Sequence, residues 1–143
     1  MVMGPSVEFG SFRTKSAVEL AEPLTNDLRE LFSNTSLPLP KAGESLLSAY
    51  LNLLEKWSKR INLTGFKSRV KAAEGLLFDG AELAGQLPEG TSILDVGAGA
   101  GGLSVAALAF RPDLSASLVE PRLKRAVFLK TVRRELGFHS NTF

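Results

Sequence analysis

Cysteine is absent from the 143 residues, and histidine, tryptophan and tyrosine occur once each. Without cysteine there is no disulfide scaffold, no thiolate–zinc site and no cysteine nucleophile. With His139 alone, no metal site or proton relay can be built on several imidazoles. Long apolar runs are also missing: the longest, Val105 to Phe110, falls far short of a membrane span. The N-terminal MVMGPSVEFGSFRTK has no apolar stretch behind its charges of the kind a secretory signal needs. These exclusions predict a soluble, cytoplasmic protein with neither metal nor membrane partner. What remains is ordinary: 44% apolar and 22% charged residues, a balance that supports a packed core in about one domain.

The net charge of +2 conceals an uneven distribution. One acid-free run holds Lys56, Lys59, Arg60, Lys67, Arg69 and Lys71, and a second holds Arg122, Lys124, Arg125, Lys130, Arg133 and Arg134. Together they carry 12 of the 17 basic residues. Two readings stand side by side: solvated helix faces, which are common, or a surface for a polyanion, most simply nucleic acid, whose phosphates such cations neutralise. Aromatic interleaving is thin (Trp57, Phe66, Phe128), and Trp57 lies in an apolar stripe that reads as core.

Residues 1–17 show little periodicity and read as a flexible arm. Residues 18–89 read as helical. Leu20, Leu24, Leu28 and Leu31 recur at helical spacing with Pro23 in a first turn, and SNTSLPLPK is a Pro-rich linker. Leu46, Leu47, Tyr50, Leu53, Leu54, Trp57 and Ile61 make the strongest stripe, and Ser68 to Gln86 supplies a third helix. From residue 90 the grammar changes. Ser92–Val96 predicts a buried strand, Leu103–Phe110 a short apolar helix and Ala116–Glu120 a second strand. Arg122–Leu136 predicts a helix with Leu123, Ala126, Leu129, Val132 and Leu136 inward, stopped by Gly137. Strand, glycine loop, helix, strand, helix opens a parallel α/β sheet.

The loop itself, Asp95-Val96-Gly97-Ala98-Gly99-Ala100-Gly101-Gly102, has more glycine than a turn requires. Glycine there permits positive φ and close approach of a ligand to the backbone, while the following helix offers free N–H groups to an anion. Gly97, Gly99 and Gly102 satisfy G-x-G-x-x-G, and Glu120 follows at the distance of a ribose-binding acid, so a nicotinamide dinucleotide is formally allowed. Asp95 argues otherwise, since a carboxylate beside a pyrophosphate repels it. It suits instead a ligand with an ammonium group and no phosphate, such as S-adenosylmethionine. Structural alternatives remain for both acids: Asp95 bracing the turn through backbone hydrogen bonds, and Glu120 paired with Lys124 or Arg125. No acid–base pair or nucleophile constellation is visible, so no catalytic residue is assigned.

ILDVGAGAG resembles the first motif of class I S-adenosylmethionine methyltransferases. LLSAYLNLLEKWSKRINLTG and VEPRLKRAVFLKTVRRELG are similar to segments of the bacterial small-subunit ribosomal RNA guanine-N7 methyltransferase family, RsmG or GidB. The resemblance covers roughly Leu24 to Gly137 and implies an α/β fold. A helical N-terminal extension would be followed by the first half of a Rossmann-like methyltransferase sheet (90–143), with the C-terminal strands outside the sequence. It implies S-adenosylmethionine held by Asp95, Gly97, Gly99, Gly101, Gly102 and Glu120. It also implies RNA of the small ribosomal subunit met by Lys59, Arg60 and Asn62, with Lys67, Lys124 and Arg125 added from the basic runs. Two departures stand out. The family's His-x-x-Asp-Ser stretch is here Leu76 to Gly80, keeping only Asp79, and a bulky residue then proline is here Gly102-Leu103. The chain is expected to be a truncated member, and a half sheet leaves an edge and an apolar face uncovered. The rival expectation is a non-catalytic RNA-binding module derived from such an enzyme.

Overall fold

Two β-prone runs joined through a glycine loop and an apolar helix should pair in parallel, and the computed structural model, which describes residues 6–10, 26–33, 37–63 and 68–138, bears this out. Along the chain come β1 (Ser6–Phe9), α1 (Asn26–Ser33), α2 (Lys41–Ser58) and α3 (Arg69–Ala72). A π-helical turn (Ala73–Leu77), α4 (Phe78–Ala84), β2 (Ser92–Val96), α5 (Gly102–Phe110), β3 (Ser115–Val119) and α6 (Leu123–Glu135) follow. β2 and β3 are parallel, in register from Ser92↔Ser115 to Val96↔Val119. β1 runs antiparallel to β3, from Ser6↔Val119 to Phe9↔Ala116, giving the order β1-β3-β2.

The expected flexible arm is thus corrected at Ser6–Phe9, which joins the sheet. Val7 and Phe9 point to the helices and are fully buried, and the Phe9 ring stacks on Phe138 at 4.6 Å. The proposed start of the first helix at Val18, with Pro23, lies outside the described residues. The third helix exists but is interrupted by the π turn, which lets Leu77, Gly80, Ala81 and Ala84 all be buried.

α5 is the hub. It is apolar all round and buried except at Leu103, as a helix must be when it is flanked on several sides. Two glycines allow its neighbours to approach. A Cβ on Gly43 of α2 would lie 2.1 Å from the Ala109 carbonyl oxygen, and one on Gly80 of α4 would lie 2.2 Å from that of Leu103. α2 contributes Leu46, Leu47, Tyr50, Leu51 and Leu54 to the same core, and α6 contributes Phe128, Leu129 and Val132.

The sheet's faces are unequal. Val7, Phe9, Ala116 and Leu118 line the covered face with Ile93 and Asp95 half-buried. The opposite face carries Ser6, Glu8, Ser92, Ser115, Ser117 and Val119, together with Leu94 and Val96. These last two are 60% and 65% exposed. β2 is therefore an edge strand with Leu94 and Val96 exposed, not the buried strand expected, because no strand among the described residues pairs with it on the side away from β3. Leu123, expected inward, is 75% exposed: the buried stripe of α6 centres on Leu129 and Val132, and Leu123 sits with Val127 on the other side. No helix among the described residues is long and apolar enough to cross a membrane.

Candidate functional site

The loop at the C-terminal ends of β2 and β3 is built by hydrogen bonds from three directions. From the sheet, the N–H groups of Gly97 and Ala98 donate to the Val119 carbonyl at 2.8 and 3.1 Å, folding the chain over the end of β3. Glu120, only 3% exposed, accepts the Gly99 N–H at 2.8 Å on Oε2 and the Arg122 N–H at 3.0 Å on Oε1. From α2, the buried Tyr50 hydroxyl donates to the Ala100 carbonyl at 2.7 Å. Burial pushes that phenol well above its ordinary pKa, so it stays a donor at every accessible pH. From α5, the buried Ser104 hydroxyl donates to Asp95 Oδ2 at 2.6 Å, tying the end of β2 to the first turn of the helix.

Three loop glycines adopt positive φ: Gly97 at 74°, Gly99 at 60° and Gly101 at 81°. They need it for different reasons. A Cβ on Gly101 would press to 2.7 Å against Leu129, whereas one on Gly97 or Gly99 would meet nothing within 4 Å. The loop is closed beneath by packing and open above, which is the shape a ligand-contacting turn requires.

Each expected site residue can now be placed. Asp95 is half-buried and Gly97 exposed; Gly99 is half-buried, Gly101 and Gly102 buried, all in one loop. Asp95 engages a side-chain hydroxyl, not the backbone, and its Oδ1 has no partner among the described residues. Glu120 pairs with neither Lys124 nor Arg125; it is a strut between the glycine loop and the start of α6. Each of its oxygens keeps a further lone pair for a ligand hydroxyl. Lys59, Arg60 and Asn62 are exposed just past α2, Lys124 is exposed and Arg125 half-exposed in α6, and Lys67 lies outside the described residues. The Trp57 and Phe128 rings meet edge-on at 5.6 Å, so the end of α2 lies against the middle of α6. Trp57 is packed on the core, as its stripe predicted. None of these five polar residues forms an ion pair among the described residues. No group of three or more His, Asp or Glu side chains that could hold a metal occurs among the described residues.

Two loop anchors were not singled out from the sequence. Tyr50 lies in the apolar stripe of α2, yet a buried phenol needs a hydrogen-bond partner and so signals one. Ser104 is the lone hydroxyl in an otherwise apolar helix, the comparable signal there. The two departures from the family pattern also touch. Gly80 stands against the Leu103 carbonyl and the Ala106 methyl, so the missing side chain at one position is what lets α4 close on the other.

A family model described as rRNA small subunit methyltransferase G (GidB) matches residues 43–143. Curated relatives called ribosomal RNA small subunit methyltransferase G include one from Chromobacterium violaceum, 34% identical over 113 residues, covering 79% of this chain and 54% of the relative. One from Desulfotalea psychrophila is 37% identical over 112 residues (78% and 52%), and one from Alkalilimnicola ehrlichii is 33% identical over 124 residues (85% and 55%). The chain spans about half the length of the curated relatives it matches.

Proposed function

The chain belongs to the rRNA small subunit methyltransferase G (GidB) family, and on that premise we propose that it carries the first half of a Rossmann-like, S-adenosylmethionine-dependent domain. The activity is methylation of guanine N7 in small-subunit ribosomal RNA, in the cytoplasm. On this reading residues 18–89, of which 18–25, 34–36 and 64–67 lie outside the described residues, are assigned to the helical extension, and the methyltransferase sheet begins at residue 90, joined by β1 from outside both.

The observation that supports this most is the pair of carboxylates flanking an open glycine turn. Asp95 and Glu120 stand on either side of a loop whose Gly97 and Gly99 leave the backbone accessible. Two carboxylates there oppose a diphosphate and favour a zwitterionic nucleoside: the free Asp95 oxygen toward an ammonium group, Glu120 toward ribose hydroxyls, and the N–H groups opening α5 toward a carboxylate. Gly97, Gly99, Gly101 and Gly102 would form the floor of the site. S-adenosylmethionine, when bound, supplies an already activated methyl group on its sulfonium sulfur. Guanine N7 has a free lone pair and needs no general base, so the work left to these residues is alignment. This agrees with a chain that shows no acid–base constellation. Lys59, Arg60, Asn62, Lys67, Lys124 and Arg125 would meet RNA phosphates.

A second reading, a non-catalytic RNA-binding module, is favoured by the exposed Lys59, Arg60 and Lys124, which form no ion pair among the described residues. Amide chemical-shift mapping separates the readings, because it detects weak ligands. S-adenosylmethionine is expected to move the Gly97–Gly102 resonances, NAD+ to leave them in place, and Asp95→Ala to erase the response. Shifts with NAD+ that survive in the variant would overturn the cofactor assignment. Ribosomal RNA binding that weakens steeply with salt, without any S-adenosylmethionine response, would select the module instead.

A further inference from the structure

Tyr50 is the one tyrosine of the chain, and it stands in the apolar stripe of α2, where phenylalanine would serve packing alone. Its ring is fully buried and leans on Phe128 of α6, the centroids 6.3 Å apart and the planes at 55°. A hydroxyl taken into such a core is costly unless it is bonded. This one is bonded, to the Ala100 carbonyl of the glycine loop, 50 residues on. No backbone N–H among the described residues donates to that carbonyl, so the phenol is its partner.

The bond acts on a peptide unit that could otherwise turn over. In a trans peptide the carbonyl and the N–H point in opposite directions. With the Ala100 carbonyl drawn toward Tyr50, the Gly101 N–H therefore points the other way, to the Ala98 carbonyl at 2.9 Å. Gly101 sits at φ 81°, and a glycine takes the opposite sign of φ about as readily. Glu120 fixes the N–H of Gly99 and leaves the Ala100–Gly101 peptide to Tyr50. That peptide leads directly into α5, whose first turn carries no side-chain cap.

We infer that Tyr50 is a positioning residue for the cofactor site: its hydroxyl selects one orientation of the Ala100–Gly101 peptide and so holds the loop backbone in the shape that receives the ligand. The inference rests on the S-adenosylmethionine reading proposed above. It makes α2, which packs along α5 through Gly43 and carries Lys59 and Arg60 just past its end, part of what sets cofactor affinity. The helix acts through the loop, without a side chain on the ligand.

Tyr50→Phe keeps the ring and removes the bond, and amide spectra of this variant, free and titrated with S-adenosylmethionine, are the test. Without ligand, the Gly99, Gly101 and Gly102 resonances are expected to broaden as the peptide samples both orientations, while the amides of α2 stay sharp. With ligand, the affinity read from the shifts should fall roughly tenfold, the effect of losing a hydrogen bond of ordinary net strength. Leu47→Val controls for lost stability. It is as deeply buried on the same helix, so it should lower the melting temperature yet keep the loop linewidths and the affinity of the wild type. Wild-type linewidths and affinity in Tyr50→Phe overturn the proposal. So does an equal loss of affinity in Leu47→Val, since Tyr50 would then act through stability alone. A wild-type loop indifferent to S-adenosylmethionine sinks the cofactor reading instead, and the ligand-free linewidths still decide whether Tyr50 holds the loop.

Discussion

The outer edge of β3 and the outer edge of β2 face the same solvent and are treated in opposite ways. At β3 the chain brings its own N-terminal strand across, seats Val7 and Phe9 among the helices, and turns Ser6 and Glu8 outward. At β2 no further strand pairs among the described residues, and Leu94 and Val96 are exposed. The lesson is that exposed apolar surface is not spread over an incomplete sheet but gathered along one strand. The closed edge buries Val7 and Phe9 and so stabilises the chain, whereas the exposed side chains of the open one contribute little.

The contrast can be broken most forcefully at the closed edge. Phe9→Ala removes a fully buried ring stacked on Phe138 and should cost about 3–5 kcal/mol in urea unfolding. A loss near zero would mean that β1 is dispensable. A smaller effect is expected at the foot of β2, where Asp113 accepts the Gly90 N–H at 2.8 Å and pairs with Arg111 through both carboxylate oxygens at 2.7–2.8 Å. The hydrogen bond from Arg111, then that from Gly90, holds the Asp113 carboxyl well below the usual carboxylate range. A lowered folded-state pKa stabilises above the unfolded value of about 4 and is lost as pH falls through the folded one. Asp113→Asn should therefore melt below the wild type at pH 7, with the gap closing toward pH 2. A gap that is constant with pH would show that the carboxylate charge is not what anchors the turn. The smallest change is at the open edge: Leu94→Ser should shift stability by no more than about 0.5 kcal/mol in the isolated chain, and thermal melting is enough to check it.

Much of this was readable in advance because the signals were local. The Ser92–Val96 strand, the apolar helix after the glycines and the α6 stripe each combine a short-range pattern with a stop signal, and their bounds moved by a residue or so. Gly137 ends α6 with φ 78°, as a C-terminal glycine should. What escaped depended on distant partners. SVEF is too short to show an alternation until β3 lies beside it. Leu94 and Val96 carry the hydrophobicity of a buried strand, yet they are exposed on an edge strand, which no local pattern distinguishes from a central one. The loop acids were identified, but Glu120 as a strut on Gly99 and Asp95 as the partner of Ser104 are three-dimensional facts. The departures at Gly80 and Leu103 looked independent in the sequence and prove to be one contact.

The bond between Ser117 and Glu8 joins residues 109 apart. On a ribosome, β1 leaves the exit tunnel more than a hundred residues ahead of its partner strand and of the Phe138 ring. Val7 and Phe9 spend that interval unburied. Such distant pairing is slow, because the entropy of closing the intervening chain is lost before any contact rewards it. The β1–β3 seam thus forms only after the strand-loop-helix segment between them has been made, and until then Val7 and Phe9 are exposed to chaperones.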